Sequence, residues 1–181
     1  MNDVLGLSGF SGISGFTIFK ILSPEIKLGS LKNLAKQAGN REYVMSASDQ
    51  QLKEAKVVVV DDVKSARVIV KSLLTQVGCN NVVDFESADK ALDYMKKNKV
   101  DLVISDWDMP GTQGLEFLEA IRSTPSLRKI PFIMVTSTSA KQSVLKALNQ
   151  GVTYYLIKPM GAHDLHKALD VALSQNEKAE N

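Results

Sequence analysis

An alternation limits most strongly what this chain can fold into. Between Lys56 and about Gln175, five short and nearly continuous apolar runs occur: "KVVVVD" (56–61), "NVVDFE" (81–86), "DLVISD" (101–106), "IPFIMVT" (130–136) and "VTYYLIK" (152–158). Each is followed by a stretch of helical spacing. Runs of β-branched, leucine or aromatic residues without polar alternation are expected of strands covered on both faces. The intervening stretches set apolar residues three and four apart. Ala66, Ile69, Val70, Leu73, Leu74 and Val77 mark the first, and Ala88, Ala91, Leu92 and Met95 the second. Leu115, Leu118 and Ile121 mark the third, Val144, Leu145 and Leu148 the fourth, and Leu165, Ala168, Leu169 and Ala172 the fifth. Gly78 and Gly151 stand where the first and fourth helices would end. Five strands alternating with five helices predict an α/β fold, a parallel sheet with helices on both faces.

In an open sheet of this kind, ligands bind beyond the carboxyl ends of the strands. The first run ends in Asp61-Asp62, the third in Asp106, the fourth in Thr136 and the fifth in Lys158-Pro159. Three carboxylates, a hydroxyl and an ammonium are thereby expected on one edge. Acids gathered in this way stay ionised only if a cation sits among them. Mg²⁺ suits them, because it takes oxygen ligands, keeps waters and accepts phosphate oxygens. Asp106 leaves the middle strand and can act as a nucleophile that forms an aspartyl-phosphate. Thr136 can donate to a phosphoryl oxygen, and Lys158 supplies a point charge. Taken singly, each has a bland reading: a capping turn, a loop threonine, a solvated Lys-Pro turn. It is their joint occurrence, each at the correct end of its strand, that points to phosphoryl chemistry.

The blocks "VVVVDDVKSAR", "LVISDWDMPGTQGLEFLEAIR", "IPFIMVTS" and "YYLIKPM" resemble the signature blocks of the response-regulator receiver domain, over residues 56 to about 175. The resemblance implies a (βα)5 flavodoxin-like fold with strand order 2-1-3-4-5. It implies a partner histidine kinase that donates its phosphoryl group to Asp106, with Lys158 and Thr136 assisting. Asp61, Asp62, Asp106 and the backbone carbonyl of Asp108 would hold Mg²⁺. Thr136 and Tyr155 would form the switch, and the Lys158–Pro159 bond would be cis. Chemotaxis or motility control, in the cytoplasm, is the family-level expectation. There are departures. Asp108 stands where chemotaxis members carry Asn, and Thr138 where they carry Glu, positions that tune the loss of phosphate; Met160 replaces the commoner Phe. On this resemblance the protein is a phosphoacceptor and not an enzyme, catalysing only its own phosphorylation and dephosphorylation. An alternative is a haloacid-dehalogenase-like phosphatase built on Asp106-x-Asp108. It is opposed by Pro110, which stands where that family has Thr or Val, and by the earlier Asp61-Asp62 pair. A receiver reduced to a constitutive docking module would have lost an acid or the lysine, and none is lost.

Composition adds limits. A net charge of +2, with no block of Lys or Arg, gives no footing for nucleic acid. After Gln175 the sequence shows only "NEKAEN", a polar tail over 176–181. Output is therefore expected through a protein target of the receiver face, about 139–175, or through residues 1–53. Cys79 is the single cysteine and reads as a small core residue in a reducing compartment. His163 and His166 read as a solvated helix face.

The first 53 residues stand apart from the receiver at 54–175. "SPEIKLGSLKNLAKQAG" predicts a helix over about 24–38, capped by Ser23, started by Pro24 and closed by Gly39, with Leu28, Leu31 and Leu34 on one side. "NREYVMSASDQQLKEAK" (40–56) is either a linker or a short extra helix. Ahead of both lies "GLSGFSGISGFTIF" (6–19), in which Leu7, Phe10, Ile13, Phe16 and Phe19 recur every third position between glycines and serines. Met1-Asn2-Asp3 lacks the basic start of a secretory signal. The uncharged stretch 4–19 has 16 residues, eight of them Gly, Ser or Thr, against the ~20 apolar residues of a spanning helix. A three-residue period winds around an α-helix and leaves no clean stripe. Either the segment is a tail, free or packed on its own receiver, or it docks its apolar residues in a partner's groove or at a membrane surface, drawing the protein to a membrane-associated complex. Docking to a protein is the preferred expectation, because four lysines against Asp3 and Glu25 leave only +2 over residues 1–40.

Overall fold

The computed structural model describes residues 47–137 and 141–177. The apolar segment with Leu7, Phe10, Ile13, Phe16 and Phe19, the helix expected at about 24–38, Thr138 and residues 178–181 lie outside the described residues.

The alternation becomes α1 (Ala47–Glu54), β1 (Val57–Val60), α2 (Lys64–Gln76), β2 (Val82–Phe85), α3 (Ala88–Met95), β3 (Leu102–Asp106), α4 (Gly114–Ser123), β4 (Phe132–Thr136), α5 (Lys141–Asn149), β5 (Tyr154–Ile157) and α6 (Ala162–Glu177). The five strands form one sheet in the order 2-1-3-4-5. Every pairing is parallel, with Val57 beside Val82 and Leu102, Val103 beside Phe132 and Ile133 beside Tyr154.

Successive strand residues point to opposite faces, and the core divides accordingly. Val57, Val59, Leu102, Ile104, Ile133, Val135 and Leu156 pack beneath Val70 and Leu74 of α2 and Leu165, Ala168, Leu169 and Ala172 of α6. Val58, Val60, Val103, Phe132 and Met134 pack on the other side, against Ala88, Ala91 and Met95 of α3 and Phe117, Leu118 and Ile121 of α4. Both layers bury every residue of β1 and β3, which is why these strands carry no solvent-facing alternation. Gly78 and Gly151 end α2 and α5 with φ of 91° and 80°, a left-handed geometry that costs glycine nothing.

Two details differ from the pattern. Ile69, expected on the apolar stripe of the first helix, is 59% exposed. Val70 and Leu74, four apart, take the inward line, and Ile69 sits about 100° from Val70 around the helix. The stretch 40–56, open between linker and helix, yields α1, whose Leu52 is 2% exposed and lies in the same core layer as α6. The core therefore takes in a residue upstream of 53.

Candidate functional site

Parallel strands bring all their carboxyl ends to one edge, so residues far apart in sequence meet there. Asp61 follows β1, Asp106 ends β3, Thr136 ends β4 and Lys158 follows β5. The Lys158 Nζ donates to Asp61 Oδ2 at 2.9 Å and to Asp106 Oδ1 at 2.6 Å, joining chain positions 97 and 52 residues apart. The remaining carboxylate oxygens are also held: Asp61 Oδ1 accepts from the Val63 amide at 2.9 Å, and Asp106 Oδ2 from the Asp108 amide at 2.9 Å. Lys158 is itself placed by its amide, which donates to the Thr136 carbonyl at 2.7 Å; the Lys158–Pro159 bond is cis.

Asp61 and Asp106 are both buried, with one ammonium between them. Burial pushes the Asp106 carboxyl above the ordinary carboxylate range; the hydrogen bond from Lys158 works against this, and the neighbouring Asp61 charge adds to it. Burial also pulls on the Lys158 ammonium, but hydrogen bonds to Asp106 and Asp61 outweigh it and hold its pKa above the usual lysine value. The site is thus built to keep Lys158 charged while straining the ionisation of Asp106.

Thr136 and Tyr155 are 1% and 4% exposed. They lie on the last two strands and are joined by a side-chain hydrogen bond. Burial raises the Tyr155 pKa, and the nearby Asp108 charge adds to the effect. The Trp107 ring meets the Tyr155 ring edge-on at 6.3 Å, so the residue after Asp106 touches the tyrosine directly.

Lys158 joins two of the three expected carboxylates, Asp61 and Asp106. Among the described residues no three acids, histidines or cysteines gather closely enough to cage an ion. Asp61 is turned inward by its bond to the Val63 amide, whereas the next residue, Asp62, is exposed, as is Asp108. Mg²⁺ does not require a cage: it keeps several waters and takes one or two carboxylates plus phosphate oxygens. A buried all-oxygen pair with one negative charge in excess fits that ion.

Two supports escaped the reading of motifs. Gly114 starts α4 directly against the peptide of Asp106: a Cβ there would stand 2.1 Å from the Asp106 carbonyl oxygen and 3.0 Å from the Met134 sulfur. Only glycine allows this approach. Asp84, the one acid inside β2, binds Arg67 Nε at 2.8 Å and Lys71 Nζ at 2.7 Å. A charged residue in an otherwise apolar strand demands a partner, and that demand was the available signal.

The model of the response regulator receiver domain matches residues 57–170. The chain belongs to the response regulator receiver family. The receiver is 37% identical to chemotaxis protein CheY-3 of Vibrio cholerae over 118 residues, 65% of this chain and 91% of that protein. It is 31% identical to chemotaxis protein CheY of Pseudomonas aeruginosa, over 64% of this chain and 93% of that protein. The solved structure of V. cholerae CheY4 superposes with a TM-score of 0.61 at 33% identity, covering 66% of this chain and 98% of that one. The same fold is found in the receiver domain of a P. aeruginosa sensor histidine kinase that has a magnesium ion coordinated in its active-site cleft, at 20% identity and a TM-score of 0.61. The strand order implied by the sequence blocks is the one observed, and the haloacid-dehalogenase alternative falls away. Helix α1 lies upstream of the matched region. Among the described residues no helix is long and apolar enough to cross a membrane.

Proposed function

We propose that this protein is a two-component response regulator of the cytoplasm. It accepts a phosphoryl group on Asp106 from a histidine kinase and signals by phosphorylation-dependent protein–protein contact, in chemotaxis or motility control. The observation that carries this reading is the Lys158 ammonium shared between two buried carboxylates at the strand ends. In the transfer, a carboxylate oxygen of Asp106 bonds to phosphorus as the bond from phosphorus to the donor's imidazole nitrogen breaks. Lys158 stays charged and neutralises one phosphoryl oxygen. The Asp108 amide keeps the other carboxylate oxygen oriented. Asp61, Asp106 and the Asp108 carbonyl would hold Mg²⁺, with Asp62 on the exposed side, and the ion supplies positive charge against the phosphoryl oxygens.

Thr136 hydroxyl and Tyr155 form the switch in this reading. A phosphoryl group at Asp106 offers the hydroxyl of Thr136 a charged acceptor in place of Tyr155, and the change is read on the surface of α5, β5 and α6. The protein target binds there. The extension at 1–53 docks a partner protein through Leu7, Phe10, Ile13, Phe16 and Phe19, so that the extension sets where the receiver works and Asp106 sets when.

Incubation with a small phosphodonor and Mg²⁺ tests the centre of this reading. One hydroxylamine-labile phosphoryl group per chain is expected, lost in Asp106→Asn and in excess chelator. Labelling that survives the substitution would overturn the assignment.

A further inference from the structure

Resting on the phosphoacceptor reading, we propose that Arg67 is a positioning residue for the Asp61-Asp62 turn and that Asp84 is the anchor that holds it. The Arg67 guanidinium faces two ways. Its Nε donates to Asp84 Oδ2 at 2.8 Å, and its Nη1 donates to the carbonyl of Asp61 at 2.7 Å and to that of Asp62 at 3.3 Å. The Arg67 side chain is only 12% exposed, and its bond to the Asp61 carbonyl is part-buried, whereas the longer one to the Asp62 carbonyl is exposed. Asp84 stands on β2 beside Val59 of β1 and takes a second cation, Lys71, on its other oxygen. Hydrogen bonds from Lys71 and Arg67 hold its carboxyl below the usual range, so it remains an ionised anchor.

Asp61 is thereby gripped from both sides. Lys158 and the Val63 amide fix its carboxylate, and Arg67 fixes its backbone. A planar fork suits this task and an ammonium does not, because two donors must point at once toward a strand and a turn. An ordinary exposed ion pair would add little beyond stability. A guanidinium bonded to the backbone of both acids also sets where their carboxylates stand.

The test uses the full chain with Arg67→Gln, Arg67→Lys and Asp84→Asn. Mg²⁺ alone is titrated against the fluorescence of Trp107, the single tryptophan. Amide exchange at Val63 is followed in metal-free protein, and phosphorylation and Tm are measured alongside. Partners that orient metal ligands typically change affinity 10–100-fold. Both Arg67 variants should raise the Mg²⁺ midpoint about tenfold or more and speed Val63 exchange, with phosphorylation recovering at saturating Mg²⁺. Asp84→Asn should move the same readouts in the same direction by less, and it decides the matter if the Arg67 variants fail to fold. A lowered Tm with unchanged midpoint and unchanged Val63 exchange would overturn the positioning role. A wild-type chain that ignores both Mg²⁺ and phosphodonor would instead overturn the phosphoacceptor reading, and Val63 exchange would still decide the role of Arg67.

Discussion

Asp61 and Asp106, 4% and 8% exposed, face one ammonium, so the described site holds one negative charge in excess. Because the Asp106 pKa is raised in the folded state, mainly by burial, folding favours its protonated form. The contribution of this group to stability is then full below the ordinary carboxylate pKa and is lost as pH rises through the raised value. Asp106→Asn should therefore stabilise the protein at neutral pH by ~1 kcal/mol, a few degrees in Tm. The gain should shrink as pH falls below the ordinary carboxylate range. Thermal melts across pH 3–8 check both statements, and a less stable variant at neutral pH would contradict them. The positions of Asp61, Asp106, Thr136 and Lys158 were legible because strand ends in a parallel sheet share an edge. The exposure of Asp62 was not, since it depends on an Asp61–Val63 turn that no periodicity encodes. Arg67 was hidden for a related reason: its partners are carbonyls, and a sequence does not show which carbonyls lack a donor.

Helix α1 and the stripe of α2 show where element-level reading stops. The strands, and the five helices between and after them, announce themselves because each buries several residues at a fixed period. The stretch leading into β1 is largely polar, and among its described residues only Leu52 and Ala55 join the core, too few to define a period. Burial of Leu52 beside the α6 layer nevertheless makes α1 part of the receiver core. Leu52→Ala should cost ~2 kcal/mol or more, read from urea denaturation, while phosphorylation of the folded fraction at Asp106 is unchanged. A chain begun at residue 55 should be less stable than one begun at residue 46. Equal stability would show that α1 only rests on the surface.

At the scale of the whole molecule, the proposed division of labour separates location from timing. Phe10→Asp with Phe16→Asp should abolish partner capture or localisation and leave the extent of Asp106 phosphorylation unaltered. A double variant that localises and binds as before would reduce the extension to a passive tail. The 97-residue separation between Asp61 and Lys158 has a consequence for synthesis. At ~5–20 residues per second, a ribosome delivers both acids several seconds before the ammonium that balances them. A polypeptide cut short ahead of β5 would hold two inward acids with no Lys158 to offset them, and it would lack α6, whose Leu165, Ala168 and Leu169 close one layer of the core. Such a fragment is expected neither to settle into the native sheet nor to accept a phosphoryl group at Asp106.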